Sequence, residues 1–262
     1  MIENIKQHFR DDEQIFVEMC HDWVRNVEHR YVPYLTSFLN PRERYILESV
    51  VGSRDDCKLS FYGGYDNAER QRALLYPPYF EVETEDFELV LCEINYAEKF
   101  TSLKHSQILG SLLGSGITRE KVGDILTDGS RWQFFTEKQI ARFLPSQMEK
   151  MGRASVDVSE IPIDQLVEPI DEWITQNIIV ASLRLDALIA SVYNLSRQNA
   201  KDLVSGKKVK VNWTEETRAG FEIETEDMVS VRKFGRFQLK MTNGYTRKDN
   251  LKADIRMLKR KK

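Results

Sequence analysis

Residues 182–213 read SLRLDALIASVYNLSRQNAKDLVSGKKVKVNW, and this stretch decides the fold of the C-terminal part of the chain. Leu185, Leu188, Ile189 and Val192 recur at i, i+3, i+4 and i+7, the spacing that gathers apolar side chains on one stripe of a helix. Arg184 falls off that stripe and is expected in water. Ser196 stands where an N-cap is needed, its hydroxyl able to accept a backbone N–H, and a second helix runs through Ala200, Leu203 and Val204 until Gly206 stops it. With the apolar residues assigned inward, Arg197, Lys201, Lys207, Lys208 and Lys210 are left together on the second helix and on the turn into a strand from Lys208 to Asn212. Met228 to Val231 and Phe234 to Leu239 alternate as further short strands, and Arg232, Lys233, Arg236 and Lys240 add positive charge. A basic edge on a small helical layer backed by strands points to a polyanionic partner.

The run Arg184-Leu185-Asp186, the triplet Leu195-Ser196-Arg197 and the segment Gly206 to Asn212 resemble, in order and spacing, the RNA-binding domain named after ribosomal small-subunit protein four. The resemblance implies that the two helices and the following turn present a positive surface to structured RNA. Such a surface would use Arg184, Arg197, Lys201, Lys207, Lys208 and Lys210 on phosphates, with Ser196 and Asn212 offering hydrogen bonds and Arg232 and Arg236 contributing from the strands. That family usually has Gly-Asp before the last strands. This chain has Glu226-Asp227, which predicts a different turn there.

Overall charge hides an asymmetry. The whole chain is formally −3, yet residues 181–262 hold 19 Lys and Arg against 10 Asp and Glu, while the remainder holds 19 against 31. Such a split suits a molecule that meets a polyanion at one end and supplies scaffold or protein contacts at the other. At 262 residues the chain is long enough for two or three domains. Met1 to Glu18 is broken by charges and does not read as a signal peptide, and no apolar run approaches a membrane span, so a cytoplasmic protein without membrane contact is expected. Cys20, Cys57 and Cys92 are far apart in apolar settings and read as buried free thiols. His21 and His29 lie eight apart with nothing to complete a metal site, and neither a metal nor another cofactor is expected.

In chain order, Ile15, Phe16, Met19, Trp23, Val24 and Val27 keep a helical period, and Asn40-Pro41-Arg42-Glu43 reads as a sharp capped helix start with Gly52 as its stop. Cys57, Leu59 and Phe61 alternate as a strand. Asp66 to Glu69 reads as a second capping box opening a helix that carries Arg70 and Arg72 and halts before Pro77-Pro78. From Asp86 to Ile161 the predicted order is βαββαβ: strands Phe87–Tyr96, Val122–Leu126, Trp132–Phe135 and Ser155–Glu160, a helix Lys104–Leu113, and a helix capped by Thr136 and Gln139 running to about Met151. This is the split βαβ order of ferredoxin-like and RNA-recognition-motif folds. The basic-glycine-aromatic signature of a recognition motif is missing, and of Trp132, Phe134 and Phe135 at least two are expected in the core. Gly110, Gly114 and Gly116 do not form a phosphate loop, and His105, Arg119 and Lys121 are expected on the surface, either on phosphate or hydrated.

Taken together, the stretch Phe61 to Arg70 (FYGGYDNAER), the segment His105 to Ile125 and the C-terminal module ending VRKFGRF at Phe237 look like the YlmH family of bacterial RNA-binding proteins over nearly the whole chain. The resemblance implies association with the large ribosomal subunit. It also implies action on subunits that retain peptidyl-tRNA in ribosome-associated quality control, beside other quality-control factors. Links to cell division and, in a plastid and cyanobacterial branch, to photosystem assembly come with the same resemblance. The expected fold class is α+β: a mixed N-terminal domain at 1–80, a central ferredoxin-like domain at 81–175, a small α+β RNA-binding domain at 181–246 and a basic tail at 247–262. Two rival readings stay open. RNA pseudouridine synthases also carry the RNA-binding module, although Asp124 and Asp186, the nearest candidates for a nucleophile, read as turn or helix-start residues. An adaptor whose acidic part binds a protein while the module only localises it is the other.

Overall fold

Val17, Cys20, His21, Val24 and Val27 form the buried face of α1 (Gln14–Arg30), while Ile15 and Met19 stay exposed, so the apolar stripe is rotated from the one the sequence suggests. The chain is described by a computed structural model covering residues 9, 11–98, 101–168 and 173–259. It divides into two compact units, 1–170 and 171–262. In the first, α1 packs with α2 (Pro41–Val51) over strands β1 (Tyr34–Leu39), β2 (Lys58–Tyr62) and β3 (Gln71–Tyr76), arranged antiparallel in the order β1-β3-β2. The capping box holds as the sequence suggests: Asn40 Oδ1 accepts from the Glu43 N–H at 3.0 Å, and the Asn40 N–H donates to Glu43 Oε2 at 2.7 Å.

Residues 71–76 are the central strand of that sheet and not the expected helix. Arg72 explains the difference. Its guanidinium is buried and donates to the carbonyls of Thr36 at 2.7 Å and Phe87 at 2.9 Å, with Glu137 3.9 Å away, so partners remote in sequence hold an arginine inside a strand.

Strands β4 (Leu89–Tyr96), β5 (Val122–Thr127), β6 (Trp132–Glu137), β7 (Lys150–Met151) and β8 (Ala154–Ile161) form a sheet in the order β5-β6-β4-β8-β7. Without the short β7, this is the second, third, first and fourth strand of a βαββαβ unit, paired antiparallel throughout. α3 (His105–Gly114) covers one face through Ile108 and Leu112, which join Val90, Cys92, Ile94 and Phe134 in one core. The second crossover is broken into α4 (Lys138–Ala141) and α5 (Leu144–Gln147), with Pro145 in the first turn of α5. Thr136 does not cap it: the residue is buried in β6 and its hydroxyl donates to the Lys121 carbonyl at 2.9 Å. Cys20, Cys57 and Cys92 are buried free thiols; burial pushes Cys57 up to about 11 and Cys92 up to about 12.

The second unit holds β9 (Ile174–Val180), α6 (Leu185–Tyr193), α7 (Arg197–Ser205), β10 (Val209–Val211), β11 (Thr214–Glu215), β12 (Met228–Val231), β13 (Gly235–Tyr245) and β14 (Leu251–Lys259). Their sheet runs β11-β10-β12-β13-β14-β9, with α6 and α7 on one face around a core of Leu188, Ile189, Val204, Val229, Phe237 and Ile255. Residues 251–259, expected within a basic tail, are an interior strand paired with β13 on one side and β9 on the other. The alternation Leu251, Ala253, Ile255, Met257 places these residues in the core while Lys252, Asp254 and Arg256 take the opposite face. Glu226 adopts φ 69°, the conformation in which glycine is favoured, and its carboxylate accepts from Lys240 at 2.8 Å and from Gln238 at 2.9 Å. Among the described residues, no helix is long and apolar enough to cross a membrane.

Candidate nucleic-acid interface

α6 starts against backbone already in place. The N–H groups of Leu185 and Asp186 donate to the carbonyls of Phe221 and Ala219 at 2.8 and 3.1 Å. The Asp186 side chain has no exposure and accepts from Arg197 at 3.0 Å on both oxygens and from Arg184 at 3.3 Å. Two sequence expectations are refined here. Arg184 and Arg197 keep 42% and 47% of their side-chain surface, yet both clamp a buried carboxylate and fix where α7 begins. Burial alone raises the Asp186 pKa, but the bonds and charges of the two guanidinium groups outweigh it and hold the group below the ordinary carboxylate range. A depressed folded pKa stabilises the unit above the pKa of an unfolded aspartate, and that contribution is lost as pH falls through the folded value. Asp186→Asn should therefore cost on the order of 2 kcal/mol near neutral pH and flatten the acid limb of stability, as read by urea unfolding at pH 7 and pH 3.

Ser196 caps α7, its Oγ accepting from the Asn199 N–H at 3.1 Å. Ala200 and Val204 then turn inward, leaving Arg197 and Lys201 one turn apart on the exposed face. Lys207, at φ 56°, and Lys208 follow in an exposed turn, with the Lys207 ammonium 3.5 Å from Glu215. The Arg232 N–H donates to the Lys208 carbonyl at 2.8 Å, which seats the exposed Arg232-Lys233 turn beside the Lys207-Lys208 turn. Lys210 lies between inward Val209 and Val211 and so emerges on the sheet face opposite the helices. The arrangement is a strip of cations from the face of α7, around two adjoining turns, to the open side of the sheet.

Other expected site residues have structural work. Asn212 uses both ends of its amide inside the fold: Nδ2 donates to Asp227 at 2.7 Å, and Oδ1 accepts from the Met228 N–H at 3.0 Å. Arg236 lies 5.0 Å from the Trp173 ring centre, and Arg256 approaches the same ring at 5.1 Å. Sequence reasoning passes over Trp173 and Arg256, although the alternation of residues 251–257 assigns Arg256 to the outer face. His105 opens α3 and is exposed, whereas the cations of Arg119 and Lys121 are engaged within unit 1. Arg119 donates to the carbonyls of Val122 and Gly123. The Lys121 ammonium is held by Glu137 at 2.9 Å and Ser37 at 3.0 Å.

The stretch FYGGYDNAER is a latch between the two sheets of unit 1. The Tyr65 ring stacks on Phe135 at 5.9 Å and 17°, and its hydroxyl donates to Asp124 at 2.8 Å. The same carboxylate accepts the N–H groups of Glu69 at 2.6 Å and Arg70 at 3.1 Å. Burial, with the nearby Glu69 charge, raises the Asp124 pKa. Its three donors give Asp124 a structural role on β5, in place of the turn role read from sequence.

Comparison with known proteins agrees with this architecture. Residues 12–80 match the family description "YlmH, N-terminal", residues 82–165 match "Putative RNA-binding domain in YlmH", and residues 183–229 match "S4 domain". A Bacillus subtilis (strain 168) protein named "Ribosome-associated protein quality control protein P2" is 41% identical over 246 residues, covering 94% of this chain and 95% of that one. A solved structure, "Cell division protein ylmH from Streptococcus pneumoniae", is 34% identical with a TM-score of 0.54, covering 62% of this chain and 98% of that one. With its N-terminal, central and S4 segments matched in order and a relative of this identity along almost its full length, the chain belongs to the YlmH family.

Proposed function

We propose that this chain is a non-catalytic RNA-binding protein of ribosome-associated quality control in the cytoplasm. In this reading unit 2 docks on structured ribosomal RNA of the large subunit, and binding is favoured when the subunit retains peptidyl-tRNA. The cation strip of α7 and its two adjoining turns carries the reading, because Lys201, Lys207, Lys208, Arg232 and Lys233 are exposed and contiguous through the bond between Arg232 and Lys208. The name of the Bacillus subtilis relative supports the ribosomal assignment. No bond is made or broken: the protein positions itself by neutralising phosphates, and the two candidate nucleophiles, Asp124 and Asp186, are each occupied in holding the fold. Sedimentation with separated ribosomal subunits, with and without peptidyl-tRNA and at low and moderate salt, tests it. The expected result is salt-sensitive pelleting with the large subunit that strengthens with peptidyl-tRNA; absence from both subunits would exclude a ribosomal role.

The name of the Streptococcus pneumoniae structure favours a second reading, an adaptor whose acidic unit 1 holds a protein partner. Residues 1–170 alone would then retain that partner, whereas a pure RNA binder reduced to the same residues would retain nothing.

A further inference from the structure

The central domain has the strand order of an RNA recognition motif, in which bases stack on aromatics of the open sheet face. Here the middle of that face is closed, while Asn95 and Asp157 at one end stay exposed. Phe135 has no exposure beneath Tyr65, and Leu91, Leu126, Phe38 and Val167 complete a buried layer over it. Gln133, also fully buried, is tied at its two amide ends to the Val167 N–H at 2.8 Å and the Gln165 carbonyl at 3.0 Å. Phe134 points to the other side, into the core under α3. The aromatic centre of that face is therefore not open to a base.

One other surface has the chemistry. Between the C-terminal end of α3 and the pair α4–α5 lies a depression of about 330 Å³, lined by the apolar Ile117, Ile140, Leu144 and Phe143 together with Ser115 and Gly116. Phe143 is 65% exposed beside the apolar walls of the depression. A Cβ placed on Gly116 would meet nothing within 4 Å, so this edge of the depression is open. Among the described lining residues the charged one is Lys121, whose ammonium is held by Glu137 and Ser37, so the rim charge comes from Lys138 and Arg142, exposed on the segment that carries Phe143. Among the described residues no carboxylate lines it. An exposed aromatic, an apolar wall and cations at the rim suit a planar heteroaromatic base joined to phosphate.

We propose that this depression receives one unstacked nucleobase of single-stranded RNA, stacked on Phe143, so that the central domain reads RNA from its helical side. The inference rests on the RNA-binding reading above and deepens it. Its test is fluorescence anisotropy of the full chain with a labelled single-stranded 12-nucleotide RNA carrying 4-thiouridine, followed by photo-crosslinking and mass spectrometry. Phe143→Ala is expected to weaken binding about five- to hundredfold, whereas Phe143→Trp keeps it, and crosslinks should fall within 115–121 or 140–147. Phe143→Ala with unchanged affinity and no crosslink there overturns the proposal. So does Phe143-dependent self-association in analytical ultracentrifugation, which would give the depression to a second copy. If in either case Lys201→Ala/Lys207→Ala/Lys208→Ala still abolishes binding to structured RNA, unit 2 retains its role and only this site falls. If the unaltered chain binds neither RNA, both readings fall.

Discussion

Simultaneous replacement of Lys201, Lys207 and Lys208 by alanine is expected to weaken binding to structured RNA on the order of a hundredfold near physiological salt. Each side chain is exposed, and the ion pair recorded for this group, Lys207 with Glu215 at 3.5 Å, lies at the surface, so stability should hardly move. Arg197 is left out deliberately: it shares the basic face but also clamps buried Asp186, and removing it would mix unfolding with lost affinity. The informative readout is the salt dependence. Each phosphate contact releases condensed counterions, so losing three should make the plot of log affinity against log salt shallower by about three. An unchanged slope, with unchanged circular dichroism, would show that RNA lies on another face.

Gly64→Ala is expected to be the most damaging single substitution in unit 1. Gly64 sits at φ 99° with Phe135 directly against it, so a Cβ would lie 2.1 Å from the ring. Phe135 cannot retreat, because Tyr65 is stacked on it and Phe38, Leu91, Leu126 and Val167 pack around it. Backbone strain and overpacking together should cost roughly 3–5 kcal/mol, lowering the melting temperature of unit 1 by roughly 10 °C. Calorimetry on the full chain checks this, with the transition of unit 2 as internal control. A shift below about 2 °C would mean that the latch is not a determinant of stability.

How far the sequence could be read depended on whether the partners were local. The paired helices of unit 2 were legible because a 3.6-residue period, the Ser196 cap and the Gly206 stop all lie within one short stretch. The βαββαβ order was legible for the same reason. Residues 71–76 were not, since an arginine reads as surface until Thr36, Phe87 and Glu137 are brought to it. The strand at 251–259 is masked in sequence because Lys252, Asp254 and Arg256 alternate with its apolar residues and give the segment the composition of a charged tail. In the candidate interface the exposed lysines could be found from charge alone. The commitments of Asn212 and Lys121 could not, because each depends on a carboxylate from a later segment, and that of Arg197 could not because Asp186, though in the same stretch, reads as a helix-start residue until its burial is known.

The pairing of β14 with β9 also sets an order of assembly during synthesis. β9 precedes every other described element of unit 2, and β14 follows them all, yet the two are neighbours along seven residue pairs from Leu251 with Val180 to Met257 with Ile174. As the chain emerges, β9, which pairs with β14 at the end of the sheet, waits with both edges unpaired until the residues up to 257 arrive. Products of interrupted translation that stop short of β14 would carry the α7 lysines without the strand that completes their core. Unit 2 therefore closes only once the residues of β14, far downstream of β9, have been made.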